Sequence, residues 1–168
     1  VEEKLESIAA ALRTSPQESL KRVETLNSEL KAALKEIEQL KAKLASSSFD
    51  EVLGGAVEVS GMKIATGRFD QLDMDSLRNT CENLRSRIGS GVVVLASSLG
   101  DKASFVAMAT KDAVERGIHC GNIVKEAAKA AGGGGGGRPD MAQAGGKDTS
   151  KIDEALRLAV EAAKAQVK

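Results

Sequence analysis

The chain has 168 residues, room for one ordinary domain and an appendage but not for a large multi-site enzyme. Hydrophobic residues at 42% and charged residues at 29% place it among folded globular proteins, and 24 Lys and Arg balance 24 Asp and Glu. That zero net charge argues against a protein that coats nucleic acid non-specifically, and an aromatic content of 2%, all Phe, argues against a base-stacking platform.

In chain order, Leu5, Ile8 and Leu12 fall at helical spacing before Pro16. Ser15, Pro16 and Glu18 then form a Ser-x-x-Glu start signal for a second helix running to about Leu44. Val23, Leu30, Ile37 and Leu44 recur every seven residues, with Leu26, Ala33 and Leu40 three further on and Leu34 widening the seam. Such a seam either pairs with a second copy or packs back on the first helix or the globular body. Ser46, Ser47 and Ser48 break the pattern and are expected to form a hinge.

Beyond it the period changes to two. Val57–Val59 and Met62–Thr66 read as a hairpin around Ser60-Gly61. Asp73 caps a helix with Leu77, Cys81, Leu84 and Ile88 on one face and Gly89 as its stop. Val92–Ser98 and Ala103–Thr110 read as strands joined at Gly100-Asp101, the first covered on both faces. A short turn at Asp112–Arg116 ends at Gly117, and a helix carrying Ile123, Val124, Ala127, Ala128 and Ala131 follows. After a glycine-rich loop, 132–147, Ser150 opens a last helix striped with Ile152, Leu156, Ala159, Val160, Ala163 and Val167. The fold class expected is α+β: an N-terminal helical hairpin or coiled-coil arm, 1–45, then a mixed β-sheet domain flanked by helices, 50–168. The helix between the strand pairs makes a right-handed crossover if the strands flanking it are parallel.

Cys81 and Cys120 are too few for a disulfide scaffold or a zinc site, and Cys81 falls on an apolar helix face. No apolar run approaches the roughly 20 residues that span a bilayer, and no positively charged start followed by an apolar stretch suggests a signal peptide, so the expected setting is the cytoplasm with no membrane partner. The chain starts at Val1 inside a helix-prone stretch, which reads as part of a larger protein. His119 beside Cys120 lacks an orienting third group and reads as a helix-entry residue. Acidic pairs such as Asp73/Asp75 and Asp153/Glu154 sit at helix starts, where the helix dipole accounts for them. No catalytic constellation emerges.

The unusual segment is GGGGGGRPDMAQAGGKD, Gly132–Asp148. One glycine stops a helix; six exceed that need. They serve either as a linker or as a surface that lets a ligand approach bare backbone, with successive amides forming an anion nest between Arg138 and Lys147. The segment matches neither a P-loop nor a dinucleotide fingerprint. The residues expected to meet a phosphate, ribose or base-pair edge there are Gly134, Gly135, Gly136, Gly137, Arg138, Gln143, Gly145, Gly146, Lys147 and Lys111.

This string resembles the glycine-rich signature ending bacterial alanyl-tRNA synthetases, in a domain also appended to DHH-type phosphoesterases. The strand Val92–Ser97, the Thr110-Lys111-Asp112 turn and the heptad helix resemble the same tail in the same order. The resemblance implies a parent enzyme that joins alanine to tRNA(Ala) with ATP and hydrolyses mischarged tRNA. It implies a tail that does neither reaction, dimerises through its helix at Val23, Leu26, Leu30, Leu34, Ile37, Leu40 and Leu44, and grips the outer corner of the tRNA. No cofactor is expected in this chain; ATP, magnesium and zinc would belong to other domains of the parent, which are further expected partners. The alternatives are a substrate clamp of a phosphoesterase and a purely structural dimerisation module.

Overall fold

The computed structural model describes residues 1–168, except the side chain of Ala45. The chain divides into two compact units, Val1–Ser48 and Phe49–Lys168.

In the first unit α1 spans Glu2–Ala11. Arg13, in the left-handed region at φ 54°, ends it, and the amides of Arg13 and Thr14 donate back to Ala10 and Ala9. The expected capping box does not form. Pro16–Glu18 is a single 3-10 turn in which the Glu18 amide donates to the Ser15 carbonyl at 3.1 Å, so it is not available to the Ser15 hydroxyl.

Helix α2 runs unbroken over Ser19–Gly54. The helix does not break at Ser46–Ser48, where the sequence led one to expect a break, and outlasts Leu44 by ten residues. Serine costs only about half a kcal/mol against alanine in a helix, which does not end one lacking an internal Pro or Gly. Phe49 and Val52, both 9% exposed, also anchor the last turns in the second unit. The heptad residues Val23, Leu30, Leu34, Ile37, Leu40 and Leu44 are exposed, and Leu26 is half-buried. Leu5 and Ile8 of α1 are exposed too, so α1 does not cover the seam.

The second unit is a six-stranded sheet in the order β1-β2-β3-β4-β6-β5, where β1 is Val57–Val59, β2 Met62–Arg68, β3 Gly91–Leu99, β4 Lys102–Ala109, β5 Gly134–Gly137 and β6 Met141–Gly146. Only β2 and β3 are parallel, and α3, Met74–Ile88, connects them. The β1–β2 turn has positive φ at Ser60 and Gly61, the geometry that suits strand twist. Asp73 caps α3 by accepting from the Ser76 amide at 2.8 Å, and Gly89 at φ 82° ends it.

Strand β3 is central. Val93 and Leu95 pack with Leu77, Cys81, Leu84 and Ile88 of α3, together with Val106 and Met108 of β4. Val92, Val94 and Ala96 pack on the other face against α5, Cys120–Ala130, and α6, Ile152–Gln166. A short α4, Lys111–Glu115, joins β4 to α5.

The segment 132–147, expected as a loop, is a β-hairpin at the sheet edge. Arg138-Pro139-Asp140 makes its turn, and β6 pairs with β4 from Met108↔Met141 to Ala103↔Gly146. Strand periodicity is carried by alternating side chains, and glycines have none to alternate.

Candidate nucleic-acid interface

The hairpin is built on close approach. A Cβ at Gly133, Gly135 or Gly137 would run into Gly145, Ala144 or Ala142 of the paired strand, in the last case 2.7 Å from the Ala142 Cα. From the α5 side, a Cβ at Gly121 would stand 2.5 Å from the Gly137 carbonyl oxygen, and one at Gly146 2.6 Å from the Ala131 Cβ. The Cys120 amide donates to the Pro139 carbonyl at 3.0 Å and the Ala109 amide to the Asp140 carbonyl at 2.9 Å, tying the turn to the body. Gly133, Gly135, Gly137 and Gly146 are thus explained by packing.

Gly134 and Gly136 are not. A Cβ at either meets nothing within 4 Å, and neither has a positive φ. They lie opposite Gly145 and Gln143, which pair in turn with Ser104 and Val106. Val106 belongs to the face covered by α3, so these residues form the continuation of that face beyond the helix.

Two hollows lie along it. One of about 390 Å³ is lined by Arg78, Val106, Gly136, Gly137, Arg138 and Met141, with Ala142 and Gln143. The other, of about 370 Å³, is lined by Lys102, Ala103, Ser104, Gly134, Gly145 and Lys147, with Gly133 and Gly146. Each has two cations at its border. Arg138 is held by Asp140 through two bonds, 3.0 Å from Nε and 2.9 Å from Nη2, which leaves three of its five N–H groups for a ligand. Arg78 is held by Asp75 at 2.9 Å. Among the described residues Lys102 and Lys147 make no ion pair.

The surface therefore brings together Gly134, Gly136, Gly137, Arg138, Gln143, Gly145, Gly146 and Lys147 from the expected set. Gly135 lies in the same strand with its missing Cβ toward Ala144. Lys111 opens α4 beside Thr110, whose amide donates to the Gly91 carbonyl at the start of β3, and it lines neither hollow. The anion nest of successive amides is a correction, because in an extended strand neighbouring N–H groups point opposite ways. Arg78, Lys102 and Ser104 were not expected. Lys102 and Ser104 share the parity of Val106 along β4, a usable signal, whereas only packing brings Arg78 of α3 to the hairpin.

No nucleophile competes for a role here. The His119 ring caps α5 by accepting from the Asn122 amide at 3.3 Å through Nδ1. Burial, reinforced by the Asp140 charge, pushes the Cys120 thiol up to about 12, and burial pushes Cys81 higher still. Among the described residues no three His, Cys, Asp or Glu side chains group to hold a metal ion. No described helix is long and apolar enough to cross a membrane.

The sequence of this surface and its sheet is that of a known domain: the model of the DHHA1 domain matches residues 61–165. The chain belongs to the DHHA1 family. It is 62% identical to the alanine–tRNA ligase of Acetivibrio thermocellus over 99% of this chain and 19% of the ligase. It is 48% identical to that of Clostridioides difficile over 98% of this chain and again 19% of the ligase. The crystal structure of the C-Ala domain from Aquifex aeolicus alanyl-tRNA synthetase superposes with a TM-score of 0.59 at 35% identity, covering 65% of this chain and 97% of that one. This DHHA1 chain spans about a fifth of the length of the curated ligases it matches.

Proposed function

We propose that this DHHA1 domain holds folded tRNA(Ala) for an alanine–tRNA ligase, on the open face of the β5–β6 hairpin. The observation that carries the reading is the pair Gly134 and Gly136, kept bare where nothing inside the protein requires it. Backbone without side chains admits a sugar-phosphate edge, and Arg78, Arg138, Lys102 and Lys147 supply cations along the same row. Identity to ligases over nearly the whole chain supports this above a phosphoesterase clamp. Gripping the outer corner of the tRNA would let ligation and editing act on one bound molecule. Those reactions, with their ATP, magnesium and zinc, would be the work of the other four-fifths of the ligase. The exposed Val23–Leu44 seam supports self-association of the arm.

Arg138→Ala is expected to weaken binding of transcribed tRNA by about 1–3 kcal/mol, the loss of a charge-assisted hydrogen bond. Gly136→Val should do at least as much by filling the approach, with an unchanged circular dichroism spectrum because its Cβ faces open space. The salt slope should report roughly three or four phosphate contacts. Folded variants that bind tRNA like the unmutated chain would move the RNA site away from the hairpin.

A further inference from the structure

We propose that Asp140 is a positioning residue for the bound RNA: its carboxylate holds the Arg138 guanidinium so that one whole fork of N–H groups stays free for a phosphate. This rests on the hairpin binding tRNA, as proposed above, and adds what aims the cation there. Among the described cations bordering the two hollows, Arg138 alone is gripped through two nitrogens, with Nε 3.0 Å and Nη2 2.9 Å from the two Asp140 oxygens. A guanidinium carries five N–H groups in a rigid plane. Occupying its Nε–Nη2 edge leaves the Nη1–Nη2 edge intact, two parallel N–H groups that match two oxygens of one phosphate. Arg78 has a single bond to Asp75 of its own helix, and among the described residues Lys102 and Lys147 make no ion pair at all.

The carboxylate is itself held from behind. The Asp140 carbonyl accepts from the Ala109 amide, at the end of β4, at 2.9 Å, and the Pro139 carbonyl accepts from the Cys120 amide, at the start of α5, at 3.0 Å. The Arg138 amide donates to the Met141 carbonyl at 2.9 Å and closes the turn, while the Pro139 ring fixes its own φ. Three consecutive residues are thus tied to the elements beneath them, so the pair stands on fixed backbone although Arg138 is exposed and Asp140 half-buried. An ion pair this open to water contributes little to stability, and a carboxylate beside a phosphate site repels the ligand. Neither effect favours binding. Orientation does: a long side chain loses rotamer freedom when a ligand fixes it, and one already held loses less.

The sign of the Asp140→Asn effect is the test. Removing a negative charge beside bound phosphates tightens binding if charge alone acts, whereas losing the aim of Arg138 weakens it. Asn is as well suited to a turn as Asp, and thermal unfolding confirms that the variants fold. The 168-residue chain is titrated with transcribed tRNA(Ala) at an ionic strength of about 0.15 M. Asp140→Asn is expected to raise the dissociation constant about two- to tenfold, the range for a rotamer-rich side chain that binding must order. With Arg138→Ala already present, the same change should lower the constant or leave it as it was, because no guanidinium remains to be aimed. Tighter or unchanged binding by Asp140→Asn, in a chain that Arg138→Ala weakens, overturns the positioning role and leaves the tRNA site standing. Equal weakening in both backgrounds also overturns it, since Asp140 then acts on the shape of the turn rather than through Arg138. An Arg138→Ala chain that binds tRNA like the unmutated one overturns the role of Asp140 and that of Arg138 together.

Discussion

Within the run Gly132–Gly137, single positions have different reasons to be glycine. Gly132, at φ 66°, ends α5. Gly135 has Ala144 where its Cβ would be, whereas Gly136 faces open space. Gly135→Ala should therefore destabilise the domain by about 1–3 kcal/mol or more, as overpacking does, while Gly136→Ala should leave its stability nearly unchanged. Thermal denaturation of the two single variants checks this, and equal losses would mean that the edge strand yields freely. The cysteines make a second test at this scale. Burial holds the Cys120 thiol at about 12 and raises Cys81, so neither carries thiolate near neutral pH. Iodoacetamide at pH 8 should label neither in the folded protein and both in denaturant, read by mass spectrometry. Rapid labelling of Cys120 in the native state would show that the β5–β6 turn opens.

At the scale of elements, α3 is placed by polar contacts at its start. Asp73 caps it, and the buried Ser97 hydroxyl donates to the Leu72 carbonyl at 2.8 Å while accepting from the Leu72 amide at 3.0 Å. These bonds matter for the candidate site because α3 carries Arg78 to the edge of the first hollow. The Ser76 backbone amide holds the Asp73 carboxyl below its ordinary value, the Ser98 hydroxyl and Arg68 do the same for Asp70, and the Ser90 and Thr110 hydroxyls for Asp112. A carboxyl depressed on folding stabilises the protein above its unfolded pKa and loses that contribution as pH falls through the folded one. The melting temperature should thus stay level from neutral pH to about pH 5 and fall below about pH 4, where carboxylates begin to protonate. Asp73→Asn, which still accepts from Ser76 but does not titrate there, should show a smaller acid loss. An identical loss in calorimetry would assign the acid sensitivity to the other carboxyls.

For the molecule as a whole, the sequence by itself determined the α+β class, the long α2, both ends of α3, the fully covered β3 and the turns at Ser60-Gly61 and Gly100-Asp101. Each of these is local: an apolar period, a cap or a turn residue carries its own signal within a few positions. It also singled out Gly132–Lys147, because no linker needs Arg-Pro-Asp and a second glycine pair after six glycines. Tertiary structure alone decided what that segment is. A glycine strand has no side-chain alternation and acquires its conformation from β6 and α5, whose backbones leave no volume for alternate Cβ atoms. The same holds for Ser46–Ser48, where helix propensity falls but the buried Phe49 and Val52 carry the helix on to Gly54. Arg78 was out of reach of sequence reading, since a contact between residues far apart in the chain, one on α3 and the other on a hairpin, exists only once the sheet has set their separation.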